Sequence, residues 1–134
     1  MIQALSILLL LTYPCFLFSQ DVNSLLKEAM QQESSFHENE AFMKYAKVLK
    51  QEPANLIALC QCSELSSRIG ARISGKDKMQ QYFIAAKNYA LSALRVDPNS
   101  SDANFVMALA LGRLSLIAGT RARIVLARDI KKYA

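Results

Sequence analysis

The sequence predicts an all-α fold built from about three consecutive pairs of antiparallel helices. Three observations carry this. Apolar residues recur at three- and four-residue spacing from Val22 onward. Pro53 and Pro98 each close a helical stretch, because proline lacks an amide donor and restricts the residue before it. The short phrases Lys44-Tyr45-Ala46, Asn88-Tyr89-Ala90 and Lys132-Tyr133-Ala134 return at corresponding places. With 134 residues, 52% of them hydrophobic, and only four glycines and three prolines, the composition fits one modest globular domain.

The chain opens on Ala4 to Phe18, a continuous apolar run of 15 residues, shorter than the roughly 20 that span a bilayer as a helix. It reads as the core of a signal peptide covering residues 1–19, with Ser19 as the small residue at the cleavage point and Leu17 two before it. That reading exports the protein to a periplasm or the exterior. Only Met1, Ile2 and Gln3 precede the run, so the usual basic flank is missing and an uncleaved membrane anchor is the alternative. Cys15 follows the bulky, rigid pair Tyr13-Pro14, which argues against a lipoprotein site.

The expected helices follow in order. Val22, Leu25, Leu26, Ala29 and Met30 share one face of a helix that Asp21 or Asn23 begins, and the pattern fades through Gln31 to Ser35. After a break at Ser35 to Glu38, a second stripe (Ala41, Phe42, Tyr45, Val48, Leu49) runs to Glu52-Pro53. The small and apolar residues of Asn55 to Ile69 indicate a helix buried between neighbours and closed by Gly70, with Arg68 in its last turn. Gly70 to Lys76 forms the longest break. Asp77, with Gln80 three residues on, then caps a helix running to Val96. Ser100 caps the next, which carries Asp102 in its first turn and reaches about Ala118. Gly119-Thr120 stops that helix and starts another, in which Ile124, Ala127 and Ile130 share a face.

Comparing the chain with itself shows a repeat. Ala54-Asn55-Leu56-Ile57 to Leu65-Ser66, with Gly70 and Arg72, aligns without gaps on Ala103-Asn104-Phe105-Val106 to Leu114-Ser115, with Gly119 and Arg121. The patterns Ala41-x3-Tyr45-x2-Val48-Leu49-x3-Pro53 and Ala86-x3-Ala90-x2-Ala93-Leu94-x3-Pro98 resemble the second-helix signature of tetratricopeptide repeats. The finer phrases SELSSRIG and DANFVMALALGRLSLIAG are similar to secreted bacterial proteins of that class related to the regulator of microtubule dynamics family.

The resemblance implies an α-solenoid with repeats near 22–53, 54–98 and 99–134, the last incomplete. It places Leu25, Leu59 and Asn104 at the first bulky position and Ala29, Ser63 and Ala108 where helices cross. The separation of the two prolines is 45 residues instead of about 34, the excess lying around Gly70 to Asp77. Solenoids of this class line a concave groove with their first helices. By that resemblance, Leu26, Met30, Ile57, Cys60, Glu64, Phe105, Leu109 and Gly112 face the groove. Arg68 and Arg113, late in successive first helices, stand near one end of it, able to hold a carboxylate or phosphate of a partner.

No enzyme chemistry is legible. His37 is the only histidine and falls in a break between helices. Cys60 and Cys62 lie two apart, about 200° around a helix, and so cannot converge on one metal ion or bridge each other; they read as core-filling residues. No glycine-rich phosphate loop is present. The expected function is therefore a non-enzymatic scaffold, without metal or cofactor, that binds a peptide or protein.

Charge supplies the rival. Residues 21–53 hold six acids and four bases, net −2, whereas residues 54–134 hold five acids and twelve bases, net +7. A basic module binding nucleic acid, anionic glycan or lipid fits that half, although its basic stretches lack the interleaved aromatics of a single-strand binder. Membrane contact is expected only through an uncleaved N-terminal segment. Nothing caps the last apolar face, so the sequence reads as a fragment of a longer repeat protein, with self-association through the final helix as a further expectation.

Overall fold

The computed structural model describes residues 21–134, and the expected signal peptide lies outside the described residues. Six helices follow one another there: α1 (Val22–Ser34), α2 (Glu38–Gln51), α3 (Leu56–Arg72), α4 (Lys76–Val96), α5 (Ser101–Ile117) and α6 (Thr120–Ile130). The described residues contain no strand. Neighbours in sequence pack antiparallel, as three cross-helix contacts show. Lys44 Nζ on α2 reaches Glu28 Oε2 on α1 at 2.5 Å. Ser63 Oγ on α3 donates to the Ala86 carbonyl on α4 at 2.8 Å. Arg123 Nε on α6 donates to the Ser115 carbonyl on α5 at 3.2 Å. Contacts of α2 with α3, α4 with α5 and α3 with α5 stack the pairs into a solenoid-like array.

Two core clusters run through the stack, and small residues make both possible. Leu25, Tyr45, Val48 and Leu65 fill the first around Ala29, Ala41, Ala58 and Cys62. Val106, Met107, Leu59 and Leu111 fill the second around Ala90, Ala93 and Ala103. Alanine at the crossings lets helix axes approach closely, and the larger side chains then interdigitate above and below. Tyr89 packs against both clusters. Its ring meets Phe42 edge-on, centroids 6.0 Å apart and planes at 75°, a favourable aromatic geometry that ties α2 to α4.

The helix termini correct four expectations. Gly70 does not close α3; it lies inside the helix, buried, where an added Cβ would stand 2.7 Å from Tyr82 Cβ and 3.0 Å from Phe83 Cε1. It is a contact glycine, admitting α4 to close approach. Asp77 does not cap α4, which begins one residue earlier at Lys76 after Gly75, whose φ of 101° suits only glycine. The gapless self-alignment is also out of register. Asn55 caps α3 by accepting from the Ala58 amide, and Ser100 caps α5 by accepting from the Ala103 amide. Both helices have 17 residues, so the structural repeat is the 45-residue offset from Asn55 to Ser100 and not the 49-residue offset of the matched letters. Finally, α6 turns Leu126 and Ile130, followed by Tyr133, onto the second core. Ile124, expected to share a face with Ile130, is instead 61% exposed.

Because the helices alternate in direction, the turns at 35–37, 73–75 and 118–119 gather at one end of the stack. The proline turns at 52–55 and 97–100 gather at the other. A cavity of about 290 Å³ lined by Phe36 to Glu40 and by Ile69, Arg72 and Ile73 marks where the first two turns lie side by side.

Candidate functional site

The odd-numbered helices α1, α3 and α5 each keep a large apolar side chain out of the core, Met30 at 50% exposure, Ile57 at 49% and Phe105 at 57%, and α5 also leaves Leu116 exposed in its last turn. On α5 the cause is visible in the sequence. Ala103, Val106, Met107, Ala110 and Leu111 are buried, yet the opposite side, with Phe105, Ala108, Leu109 and Gly112, is apolar as well. A helix apolar on all sides needs cover on all sides. Phe105 and Ala108 line a cavity of about 490 Å³ together with Ser101, Asn104 and the terminal Lys132, Tyr133 and Ala134. Tyr133 was not among the sequence-derived groove residues. Its part depends on the turn after α6 folding back toward the start of α5, which no local spacing encodes.

The other expected groove residues separate. Leu26 is half-buried against the first core, and Leu109 and Gly112 are half-buried on α5. Cys60 does not face a groove; at 6% exposure it belongs to the second core. Burial pushes its thiol up to about 11 and that of Cys62 to about 12, so both are held as inert thiols. His37 sits exposed before α2 and contacts Gln32 at 3.2 Å.

The two arginines do occupy equivalent places, the thirteenth residue of α3 and of α5, but their surroundings differ. The Arg68 guanidinium bonds Glu33 at 2.9 Å, Glu38 at 2.8 and 2.5 Å, and Glu64 at 3.4 Å. Its guanidinium is engaged by carboxylates of its own chain. Arg72 also bonds Glu38, and the Tyr45 hydroxyl donates to Glu33 at 3.3 Å. The sequence offered only Glu64, one turn away; Glu33 and Glu38 lie on the preceding pair, and stacking alone brings them there. Arg113 is half-buried, and its Nε has no acceptor among the described residues.

The family model described as regulator of microtubule dynamics protein 1-3 matches residues 24–134. The chain belongs to that family. No curated protein and no solved structure matched the chain. In this member of the regulator of microtubule dynamics family the matched stretch takes in nearly all of α1 and every later helix, so family membership and the helical stack cover the same residues.

The Glu38 cluster makes folding acid-sensitive. Burial by itself would raise the Glu38 pKa, but the hydrogen bonds and charges of Arg72 and Arg68 outweigh it and hold the carboxyl below its usual range. A carboxyl depressed in the folded state contributes stability that is present above its unfolded pKa and lost as pH falls through the folded one. The thermal midpoint of the parent chain should therefore drop as pH is lowered from about 4.5. Glu38→Gln should be less stable than the parent at neutral pH, and melts at both pH values should show that gap narrowing in acid.

Proposed function

We propose that this chain is a non-enzymatic interaction scaffold of tetratricopeptide-like repeats, which holds a peptide or protein partner against the outward sides of α1, α3 and α5. The observation that carries the reading is the exposed apolar side chain on each of those helices, Met30, Ile57 and Phe105. Apolar residues kept in water on successive equivalent helices are what an interaction surface requires and what a closed core avoids. Cap positions repeating at Asn55 and Ser100 support the repeat assignment. The family description names microtubule regulation. An exported chain would not meet microtubules, so the scaffold role is carried over here and the microtubule role is not.

The experiment is capture of a partner from envelope extract at low and high salt, followed by titration of that partner against Met30→Ser, Ile57→Ser and Phe105→Ser. Binding in an apolar groove should persist at high salt. Phe105→Ser should weaken it about tenfold or more, with the thermal midpoint nearly unchanged because the removed ring is largely in water. Equal binding by all three variants would overturn the proposal. Saturable co-sedimentation with polymerised tubulin would restore the microtubule role.

A further inference from the structure

We propose that the end of the stack formed by the 35–37, 73–75 and 118–119 turns docks on a bilayer surface bearing anionic headgroups. The proposal rests on a different part of the molecule from the partner groove and stands or falls separately.

Among the described residues, the three most exposed large apolar side chains are Phe36 at 87%, Leu116 at 67% and Ile124 at 61%. All three lie at this one end: Phe36 in the α1–α2 turn, Leu116 in the last turn of α5 and Ile124 near the start of α6. Phe36 is held out at φ 61°, in the left-handed region that a bulky side chain rarely adopts. That angle closes α1: the Phe36 amide donates to the Glu33 carbonyl and the His37 amide to the Gln32 carbonyl, a helix cap whose left-handed position glycine usually takes.

The same end is cationic. Arg72, Lys76, Lys78, Arg121 and Arg123 are exposed there, against the exposed acids Glu40 and Asp77. Arg72 is tied to Glu38, and Arg123 to the Ser115 and Ala118 carbonyls, whereas the helix-start cations Lys76, Lys78 and Arg121 project into water. At the opposite end Lys50, Arg95, Lys131 and Lys132 are matched by Asp21, Glu52, Asp97, Asp102 and Asp129. Apolar tips ringed by cations complement a negatively charged lipid interface, where the tips enter the headgroup boundary by about 5–10 Å and the basic side chains meet the phosphates. A soluble polyanion would use the cations but leave the tips in water.

The test is co-sedimentation of the full chain with vesicles of phosphatidylcholine alone and of phosphatidylcholine and phosphatidylserine in equal parts. Whatever residues 1–20 contribute is common to every variant, so the comparisons read the tip and its cations. The parent should prefer the phosphatidylserine vesicles, and the preference should fall as salt rises. Lys76→Glu with Lys78→Glu should weaken that binding about tenfold or more and leave binding to phosphatidylcholine little changed. Phe36→Gly should weaken binding severalfold while melting no lower than the parent, because glycine accepts the backbone angle that strains phenylalanine. That opposition of signs separates a docking tip from a structural residue. Equal affinity for the two vesicles, or full binding by the charge-reversed chain, would overturn the proposal. So would loss of binding on charge reversal with Phe36→Gly and Leu116→Ser both unaffected, the result of a polyanion site without insertion.

Discussion

Phe83→Ala should lower the free energy of unfolding by about 3–5 kcal/mol, the largest effect expected of any single truncation in the α3–α4 contact. The ring is 2% exposed, and its edge lies where a Gly70 side chain would otherwise be. Removing it takes away apolar burial and leaves a cavity between two helices whose backbones already approach closely, so the walls cannot collapse to refill it. The midpoint of a thermal melt should fall by roughly 10 °C or more. A fall of only a few degrees would mean that α3 and α4 are held together mainly elsewhere, with Ser63 and its bond to the Ala86 carbonyl the next contact to remove.

The second expected result is a difference in sign between two glycines of the same class. Both Gly70 and Gly112 lie inside 17-residue helices, where alanine is intrinsically better than glycine by about 1 kcal/mol. At Gly112 a new Cβ meets nothing within 4 Å, so Gly112→Ala should stabilise the chain by about that amount. At Gly70 the new atom would lie 2.7 Å from Tyr82 Cβ, an atom fixed to its backbone and unable to swing aside. Gly70→Ala should cost about 1–3 kcal/mol despite the better propensity, since α4 must move away. Denaturant melts of the two variants should fall on opposite sides of the parent. If Gly70→Ala were neutral, the close approach of the two helices would not be a constraint on folding.

Much of the helical order was legible because its signals are local. Pro53 and Pro98 end α2 and α4 through the chemistry of a single residue, and Ser100 caps α5 through a bond three residues long. The alternation of Ala86, Ala90 and Ala93 shows which side of α4 turns inward. The family of the chain was legible in the same way, as a matter of phrases and spacing along 24–134. Where the local signal was ambiguous, the reading failed. A glycine near the expected end of a helix looks the same whether it terminates the helix or admits a neighbour, and at Gly70 only the position of α4 decides. Matching letters aligned Ala54 with Ala103, but the helices align by their caps, because burial depends on distance from the first turn and not on residue identity.

The candidate site divides along the same line. Sequence by itself determined the helical period of α1, α3 and α5, since that period is a property of consecutive residues, and the repeat resemblance then picked out Met30, Ile57, Cys60 and Phe105 as facing a groove. Tertiary structure alone decided which of those residues stay in water. It placed Cys60 in a core and left Met30, Ile57 and Phe105 outside. It also closed Arg68 upon Glu33 and Glu38, residues 35 and 30 positions away in the chain, while the equivalent Arg113 received no such partners. A charge takes its meaning from whatever lies within a few ångströms, and those neighbours are assembled by the packing of one helix pair on the next.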